Sequence, residues 1–295
     1  MFCSMRFFSY ICSMKHGLIL EGGGMRCMFT SGILDVMMEH DINVDGVIGV
    51  SAGALFGCNY ISKQPGRALR YNIMLKDDPR YMGLMTLLKT GSIISSEFAY
   101  HIVPFEIDKI DIDTFDSSPT EFWITCTDII NAKPVYHKME KVTHPNLDWM
   151  RASASMPLVS VPVEIDGYTL LDGGMIDSIP LKAFQDMGYE RNIVILSQPR
   201  GYRKKPTKLT PLFRMFCRKY PKVADIMARR YEMYNKQLDY ILQEEQKGNT
   251  MLIFPDTKLD IGRTELNEQK LRRMHSMGIN KATELLPQIV DFLSH

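Results

Sequence analysis

Gly49-Val50-Ser51-Ala52-Gly53 begins at the end of a short apolar run with β-branched residues at 44–50. A helix is predicted to begin after it. G-x-S-x-G between a strand and a helix is typical of a nucleophile elbow, where glycines two residues either side of the serine remove side-chain clashes. The pattern predicts Ser51 as a nucleophile at the positive end of the following helix. By itself, the five-residue match also fits a plain tight turn.

A glycine run lies upstream, where Gly22-Gly23-Gly24-Met25-Arg26 follows a predicted strand at residues 17–20. Such a loop offers backbone N–H groups to a phosphate or to the oxyanion of an acyl intermediate. As a dinucleotide motif it is incomplete, because Cys27 stands at the third glycine position. The elbow serine on the next strand favours the oxyanion interpretation. For Arg26 two roles stay open, contact with a lipid phosphate or a structural pair with a carboxylate.

Strands and helices alternate along the first part of the chain, which predicts a mostly parallel α/β sheet with helices on both faces. We expect a loosely ordered extension at residues 1–16 and one domain at 17–295, with the motif-bearing core at 17–200 and a mainly helical part at 201–295. Further strands are predicted at 121–127, 133–137, 159–165, 168–171, 192–196 and 251–254, a long helix at 221–247, and two terminal helices.

Ser51 needs a general base within hydrogen-bond reach. Four histidines are candidates, but none lies in a setting that resembles an active-site turn: His101, His137, His144 and His275. Leu170-Leu171-Asp172-Gly173-Gly174 is the better candidate, because an apolar strand there delivers an aspartate into a glycine-rich turn. D-G-G alone is common turn chemistry.

The three motifs in this order resemble the patatin-like phospholipase family, whose pattern is a glycine-rich oxyanion loop, then G-x-S-x-G, then D-G-[GA]. Two further blocks look similar, Arg151-Ala152-Ser153-Ala154-Ser155-Met156-Pro157 before the aspartate and Asp177-Ser178-Ile179-Pro180 after it. The resemblance runs from about residue 17 to residue 196. Two positions depart from the family pattern: Glu21 stands where aspartate is common, and Cys27 where glycine is usual.

The resemblance implies a three-layer α/β/α fold and a serine lipid acyl hydrolase that uses no cofactor and no metal. Ser51 would be the nucleophile and Asp172 its base. Gly22, Gly23, Gly24 and the Ala52 N–H would form the oxyanion hole, while Gly49, Gly53, Gly173 and Gly174 shape the turns. The implied substrate is a phospholipid or lysophospholipid. The alternatives are an esterase or thioesterase for small acyl groups, and a non-catalytic lipid-binding protein.

Composition excludes several other classes. A net charge of +1 argues against whole-molecule binding to nucleic acid, and no apolar run approaches the ~18 residues of a membrane-spanning helix. The six cysteines form no C-x-x-C pair, which predicts free thiols in a reducing cytoplasm. No His/Cys cluster has the spacing of a zinc site. Oligomeric state, headgroup and chain length are not encoded in these patterns.

Charge is concentrated at residues 200–230, which contain eleven Lys or Arg residues and one acid, Asp225. Two interpretations stay open for this basic segment. It could dock peripherally on anionic lipid headgroups, or its charges could pair with acidic neighbours. Residues 71–106 are rich in Met, Leu, Tyr and Phe. Met82, Met85 and Leu88 suit one helical face there, so we expect core packing, with an acyl pocket as the alternative.

Overall fold

In the computed structural model, which describes residues 14–294, the chain forms one eight-stranded sheet with strand order β5-β6-β3-β2-β1-β7-β8 and β4 beside β3. Contacts are parallel from β3 through β2, β1 and β7 to β8. Those of β3 with β4 and β6, and of β5 with β6, are antiparallel. The strands are β1 (Lys15–Leu20), β2 (Gly46–Val50), β3 (Glu121–Asp128), β4 (Lys133–Lys138), β5 (Val163–Ile165), β6 (Tyr168–Asp172), β7 (Tyr189–Ile195) and β8 (Thr250–Ile253).

Helices connect and cover these strands. They are α1 (Met28–Glu39), α2 (Ala52–Ile61), α3 (Arg67–Met74), α4 (Leu84–Thr90), α5 (Ile112–Asp116), α6 (His144–Ser153), α7 (Leu181–Asp186), α8 (Thr210–Phe216), α9 (Pro221–Gln246) and α10 (Glu268–Leu293). A π-helix spans Phe98–Ile107, and short 3-10 turns span Gly24–Cys27 and Gly173–Met175.

Both faces of the sheet are buried, as alternate side chains of one strand show. Leu18 and Leu20 of β1 pack into a large apolar core with α1, α2, α6 and α10, whereas Ile19 packs into a second core with α7 and α9. Successive side chains of a strand point to opposite faces, so one strand supplies both cores. The predicted three-layer α/β/α architecture with a mostly parallel sheet is therefore confirmed.

Helix α10 packs closely along α1. Gly32 of α1 and Gly278 of α10 lie where an added Cβ would overlap the backbone of the other helix. Beside this contact, His275 Nε2 lies 2.7 Å from Asp35 Oδ2, both side chains being buried. The predicted pair of terminal helices is wrong, because α10 is one helix that continues through Pro287. Its apolar positions continue on both sides of the proline, so packing outweighs the lost hydrogen bond.

Other boundaries also differ from prediction. The strand expected at 159–165 is only Val163–Ile165, since Pro162 cannot donate to a strand ladder. The strand β1 includes Lys15 and His16, which were assigned to the N-terminal extension, and residues 1–13 of that extension lie outside the described residues. On α4, Met85 and Leu88 are exposed, so their predicted core packing is wrong. Met82, just before α4, is half-buried.

Candidate active site

Ser51 lies at a sharp turn between β2 and α2. Its backbone has φ 55° and ψ −128°, a region that non-glycine residues rarely adopt. Gly49 and Gly53 on either side leave no room for a Cβ, which would overlap Ala54 and the Leu20 carbonyl respectively. The side chain is half-buried. Such strain is kept only where the surrounding structure enforces it, and it is common at functional sites.

One edge of β3 places Asp172 next to this turn. The other edge is occupied by β4, which pairs with β3 from Trp123 opposite Lys138 to Asp128 opposite Lys133. On the edge opposite β4, Thr125 pairs with Val50 of β2, and the next residue, Cys126, pairs with Asp172 of β6. The antiparallel β6 thus meets the end of the parallel β2 at one point of the same edge. Ser51 and Asp172, which lie far apart in sequence, become neighbours.

The Asp172 carboxylate is buried and lines the same cavity as Ser51. The Gly174 N–H donates to its Oδ1 at 2.8 Å. Burial raises the pKa of Asp172 above its ordinary value, while the charge of Arg230 and the hydrogen bonds from Ser51 and Gly174 oppose that rise. A carboxylate with a raised pKa that lies beside a serine in one cavity is suited to accept the proton of its hydroxyl.

The glycine loop lies directly against Ser51, because a Cβ at Gly22 would stand 2.8 Å from the Ser51 Cβ. Within residues 14–294, no protein acceptor takes the N–H groups of Gly22, Gly23 or Gly24. The Ala52 N–H opens the first turn of α2, where intrahelical acceptors are lacking. These N–H groups are free to bind an oxyanion beside Ser51.

Glu21 and Arg263 hold the glycine loop in place through hydrogen bonds and close backbone packing. The buried Glu21 carboxylate accepts hydrogen bonds from the Tyr234 hydroxyl at 2.7 Å and the Ser197 N–H at 2.6 Å. The Arg263 carbonyl accepts from the Met25 N–H at 3.0 Å, and it approaches Gly24 so closely that a Cβ there would overlap it. Gly24 also has φ 60°, which favours glycine. Glu21 therefore anchors the start of the glycine loop through its two hydrogen bonds.

Ser153 is a positioning residue that the sequence analysis did not single out. Its hydroxyl accepts from the Ser51 N–H at 2.8 Å and donates to the Thr125 carbonyl at 2.7 Å. This fully buried side chain ties the strained turn to β3. The signal was present, since Ser153 lies in the Arg151–Pro157 block, but spacing alone does not assign a hydrogen-bond partner.

Two cavities meet at Ser51. The first, here the apolar cavity, is lined mainly by apolar side chains that include Leu55, Phe56, Tyr71, Met82, Val103 and Met150. The second, here the cationic cavity, is lined by Arg26, Lys204, Arg230 and Arg263 together with Glu21 and Asp172. Gly24, Ser51, Met156 and Arg263 belong to both linings. An ester bound at Ser51 can thus extend in two chemically different directions.

The remaining sequence candidates lie elsewhere. Within residues 14–294, no histidine lines either cavity. His101 contacts His144 and Asp148, and the ring of His137 stacks on Trp149.

Burial raises the pKa of Cys27 to about 12, which disfavours a thiolate. Within residues 14–294, Arg26 forms no ion pair with a carboxylate. In the described residues, no group of three or more His, Cys, Asp or Glu side chains is placed to hold a metal.

Comparison with family models identifies the family of this chain. A family model described as patatin-like phospholipase matches residues 18–184, more than half of the chain. The chain belongs to the patatin-like phospholipase family. Its C-terminal part, residues 220–294, matches a second model described as a domain of unknown function. The patatin-like match thus contains Ser51, Asp172 and the glycine loop, whereas Arg230 and Arg263 lie in the second match.

Several patatin-like relatives are similar over the same region. The chain is 30% identical to uncharacterized protein YjjU of Escherichia coli over 62% of its own length and 52% of the relative's. It is 27% identical to lysophospholipase nte1 of Aspergillus oryzae over 60% of its length and 11% of the relative's. It is 30% identical to neuropathy target esterase sws of Drosophila melanogaster over 61% of its length and 12% of the relative's. The chain therefore spans about half, or much less, of these relatives.

Among solved structures, VipD from Legionella pneumophila matches with a TM-score of 0.45 and 12% identity, over 93% of this chain and 67% of that one.

Removal of the Ser153 hydroxyl tests the positioning role of this residue. We expect Ser153→Ala to lower the free energy of unfolding by about 1–3 kcal/mol, because the Ser51 N–H is left buried without an acceptor. Ser62→Ala is the control, since the buried Ser62 hydroxyl, just after α2, donates to the Cys58 carbonyl and to Gln64 Oε1. Urea unfolding of both variants gives the comparison. Equal losses in the two variants would contradict the role.

Proposed function

We propose that this chain is a serine-dependent lipid acyl hydrolase that cleaves carboxylic esters of phospholipids or lysophospholipids. The observation that carries the proposal is the placement of Ser51, held with positive φ, and the buried Asp172 carboxylate in one cavity, beside free N–H groups of the glycine loop. The family and the relatives named lysophospholipase support a lipid ester as the substrate.

The proposed reaction has two steps. The Ser51 Oγ attacks the ester carbonyl carbon while its proton passes to Asp172, and the N–H groups of Gly22, Gly23, Gly24 and Ala52 stabilise the oxyanion. The carbon–oxygen bond then breaks, and the leaving alcohol takes the proton from Asp172. In the second step Asp172 accepts a proton from water as the water oxygen attacks the acyl carbonyl carbon. The bond from this carbon to the Ser51 Oγ then breaks, Asp172 returns the proton to the Ser51 Oγ, and the carboxylic acid is released.

The apolar cavity favours a lipid over a small acyl group. It contains residues from the stretch 71–106, including Tyr71, Met82 and Val103, as one of the two interpretations of that stretch expected. A cavity of this lining stabilises an alkyl chain by about 0.8 kcal/mol per buried CH₂ group. An esterase for short acyl groups gains nothing from it.

Hydrolysis of p-nitrophenyl esters of increasing chain length tests the dyad and the lipid substrate together. We expect kcat/KM to rise with chain length, and Ser51→Ala and Asp172→Asn each to lower it by about a thousandfold or more. Asp225→Asn, which changes an exposed carboxylate on α9, is the control and should match the wild type. Undiminished activity in Asp172→Asn would contradict the assigned base, and a preference for acetyl esters would favour the small-acyl esterase.

The pH profile should report the raised pKa of Asp172. A base must be ionised, so kcat/KM falls as pH drops through that pKa, and this acidic limb should lie above the ordinary value of 3.8. Arg230→Gln removes a charge that lowers this pKa and should shift the limb to higher pH. Arg229→Gln, on the exposed side of α9, should not. A limb at or below 3.8 would contradict the assignment.

We further propose that the basic segment docks the chain peripherally on anionic membranes from the cytoplasm. Three of its arginines form ion pairs, Arg200 with Glu245, Arg203 with Asp239 and Arg229 with Glu232. Around α8, however, exposed cations without an ion pair in residues 14–294 lie beside exposed apolar side chains. These are Lys205, Lys208, Arg214 and Arg218 with Leu209, Leu212, Met215 and Phe216. That combination is typical of interfacial binding. No helix in the described residues is long and apolar enough to cross a bilayer.

Vesicle sedimentation tests this docking surface. Each cation near an anionic surface contributes about 1 kcal/mol, so Arg214→Gln with Arg218→Gln should weaken binding to phosphatidylglycerol vesicles about thirtyfold. Arg272→Gln, whose side chain pairs with Glu268 on α10, serves as the control. Binding should also weaken with added salt. Equal binding of the wild type to phosphatidylcholine and phosphatidylglycerol vesicles would refute the proposal.

A further inference from the structure

The cationic cavity holds more positive charge than the chemistry at Ser51 requires. Four cations face it from four separate segments: Arg26 after the glycine loop, Lys204 before α8, Arg230 on α9 and Arg263 before α10. Three of them lie beyond residues 18–184, the part matched by the patatin-like model. The C-terminal part of the chain therefore builds this side of the site.

Contacts with neutral groups hold three of these residues in place. The Arg230 Nε donates to the Gly174 carbonyl, and its Nη2 lies 3.5 Å from the Ser178 Oγ. The Lys204 N–H donates to Asn235 Oδ1 at 2.9 Å, and its Nζ lies 4.4 Å from the centre of the Tyr234 ring. Arg263 is anchored through its carbonyl by the Met25 N–H. These contacts fix positions without neutralising charge.

Carboxylates do not neutralise this group of cations. Within residues 14–294, none of the four forms an ion pair with a carboxylate, and the buried Arg26 Nε has no hydrogen-bond partner. Of the two carboxylates that line the cavity, Glu21 accepts from Ser197 and Tyr234, and Asp172 accepts from Gly174. Four cations thus face two carboxylates that are already hydrogen-bonded.

Desolvation and mutual repulsion lower the pKa values of two of these cations. Desolvation and the charges of Arg230 and Arg263 lower the pKa of Lys204 to about 7. Desolvation, followed by repulsion from Arg230 and Arg26, also lowers the pKa of Arg263. Partly desolvated cations without a counter-charge are costly, and an anion among them removes that cost. Guanidinium groups suit phosphate oxygens in particular, because they donate two parallel hydrogen bonds.

We propose that the cationic cavity binds the terminal phosphate of an acyl glycerol phosphate, so that the substrate is a phosphomonoester lipid such as lysophosphatidic acid. This inference rests on the proposed function. The acyl chain occupies the apolar cavity, the ester carbonyl lies at Ser51, and the short glycerol unit leads to the phosphate. A phosphomonoester carries nearly two negative charges, which match the surplus of cations. A phosphocholine headgroup would place its own cation among Lys204, Arg230 and Arg263.

Calorimetric binding of soluble headgroups to the full chain tests the cavity without ester cleavage. We expect glycerol 3-phosphate to bind at least about tenfold more tightly than glycerophosphocholine. Lys204→Gln and Arg230→Gln should each weaken glycerol 3-phosphate binding about tenfold or more. Two exposed cations of α9 supply matched controls, Lys236→Gln and Arg229→Gln, which should bind as the wild type does. Thermal unfolding of each variant checks that it is folded.

A kinetic arm separates a headgroup site from a site for free phosphate. The ratio of kcat/KM for 1-acyl-glycerol 3-phosphate to kcat/KM for the monoacylglycerol of equal chain length should exceed about ten and fall towards one in Lys204→Gln. If inorganic phosphate binds as tightly as glycerol 3-phosphate and this ratio is one, the headgroup assignment is overturned. Equal binding of glycerol 3-phosphate and glycerophosphocholine, or unchanged binding in Lys204→Gln, overturns the site itself. Selective binding in a chain that cleaves no ester supports the site and refutes only the proposed hydrolase.

Discussion

The edge of β3 opposite β4 is the constraint on which the candidate active site depends. Two strands of opposite direction share it, β2 up to Thr125 and β6 from Cys126. The first strand ends just before Ser51 and the second ends at Asp172, so the backbone pairing with β3 brings the two residues together. Ser153 adds a side-chain link between Ser51 and this edge. The geometry is set by a sheet buried on both faces rather than by flexible loops.

Much of this site was predictable from local patterns. The G-x-S-x-G segment predicted a strand, a turn and a helix, and these are β2, the turn at Ser51 and α2. Asp172 was predicted at the end of a strand, and β6 ends there. Sequence alone did not reveal that β6 runs antiparallel on the edge that β2 leaves free. Pairing between strands so distant in sequence depends on the whole sheet, which no local pattern encodes.

Other features could not be predicted because they depend on what covers a surface. Helical spacing grouped Met85 and Leu88 correctly on one side, but the chain leaves that side of α4 exposed. The charge excess at residues 200–230 was evident, yet it divides into paired arginines, exposed cations around α8 and two cavity residues, Lys204 and Arg230. Arg263 carried no sequence signal at all. Its place in the cavity follows from the loop that leads from β8 to α10.

Labelling by a fluorophosphonate, located by peptide mass spectrometry, tests the central claim most directly. The account predicts that the wild-type chain is labelled at Ser51, because this hydroxyl shares a cavity with a buried carboxylate and adjoins the free N–H groups of the glycine loop. Asp172→Asn should slow that labelling about a hundredfold or more, since the serine loses its base. Labelling at another serine, or an unchanged rate at Ser51 in Asp172→Asn, would contradict the account.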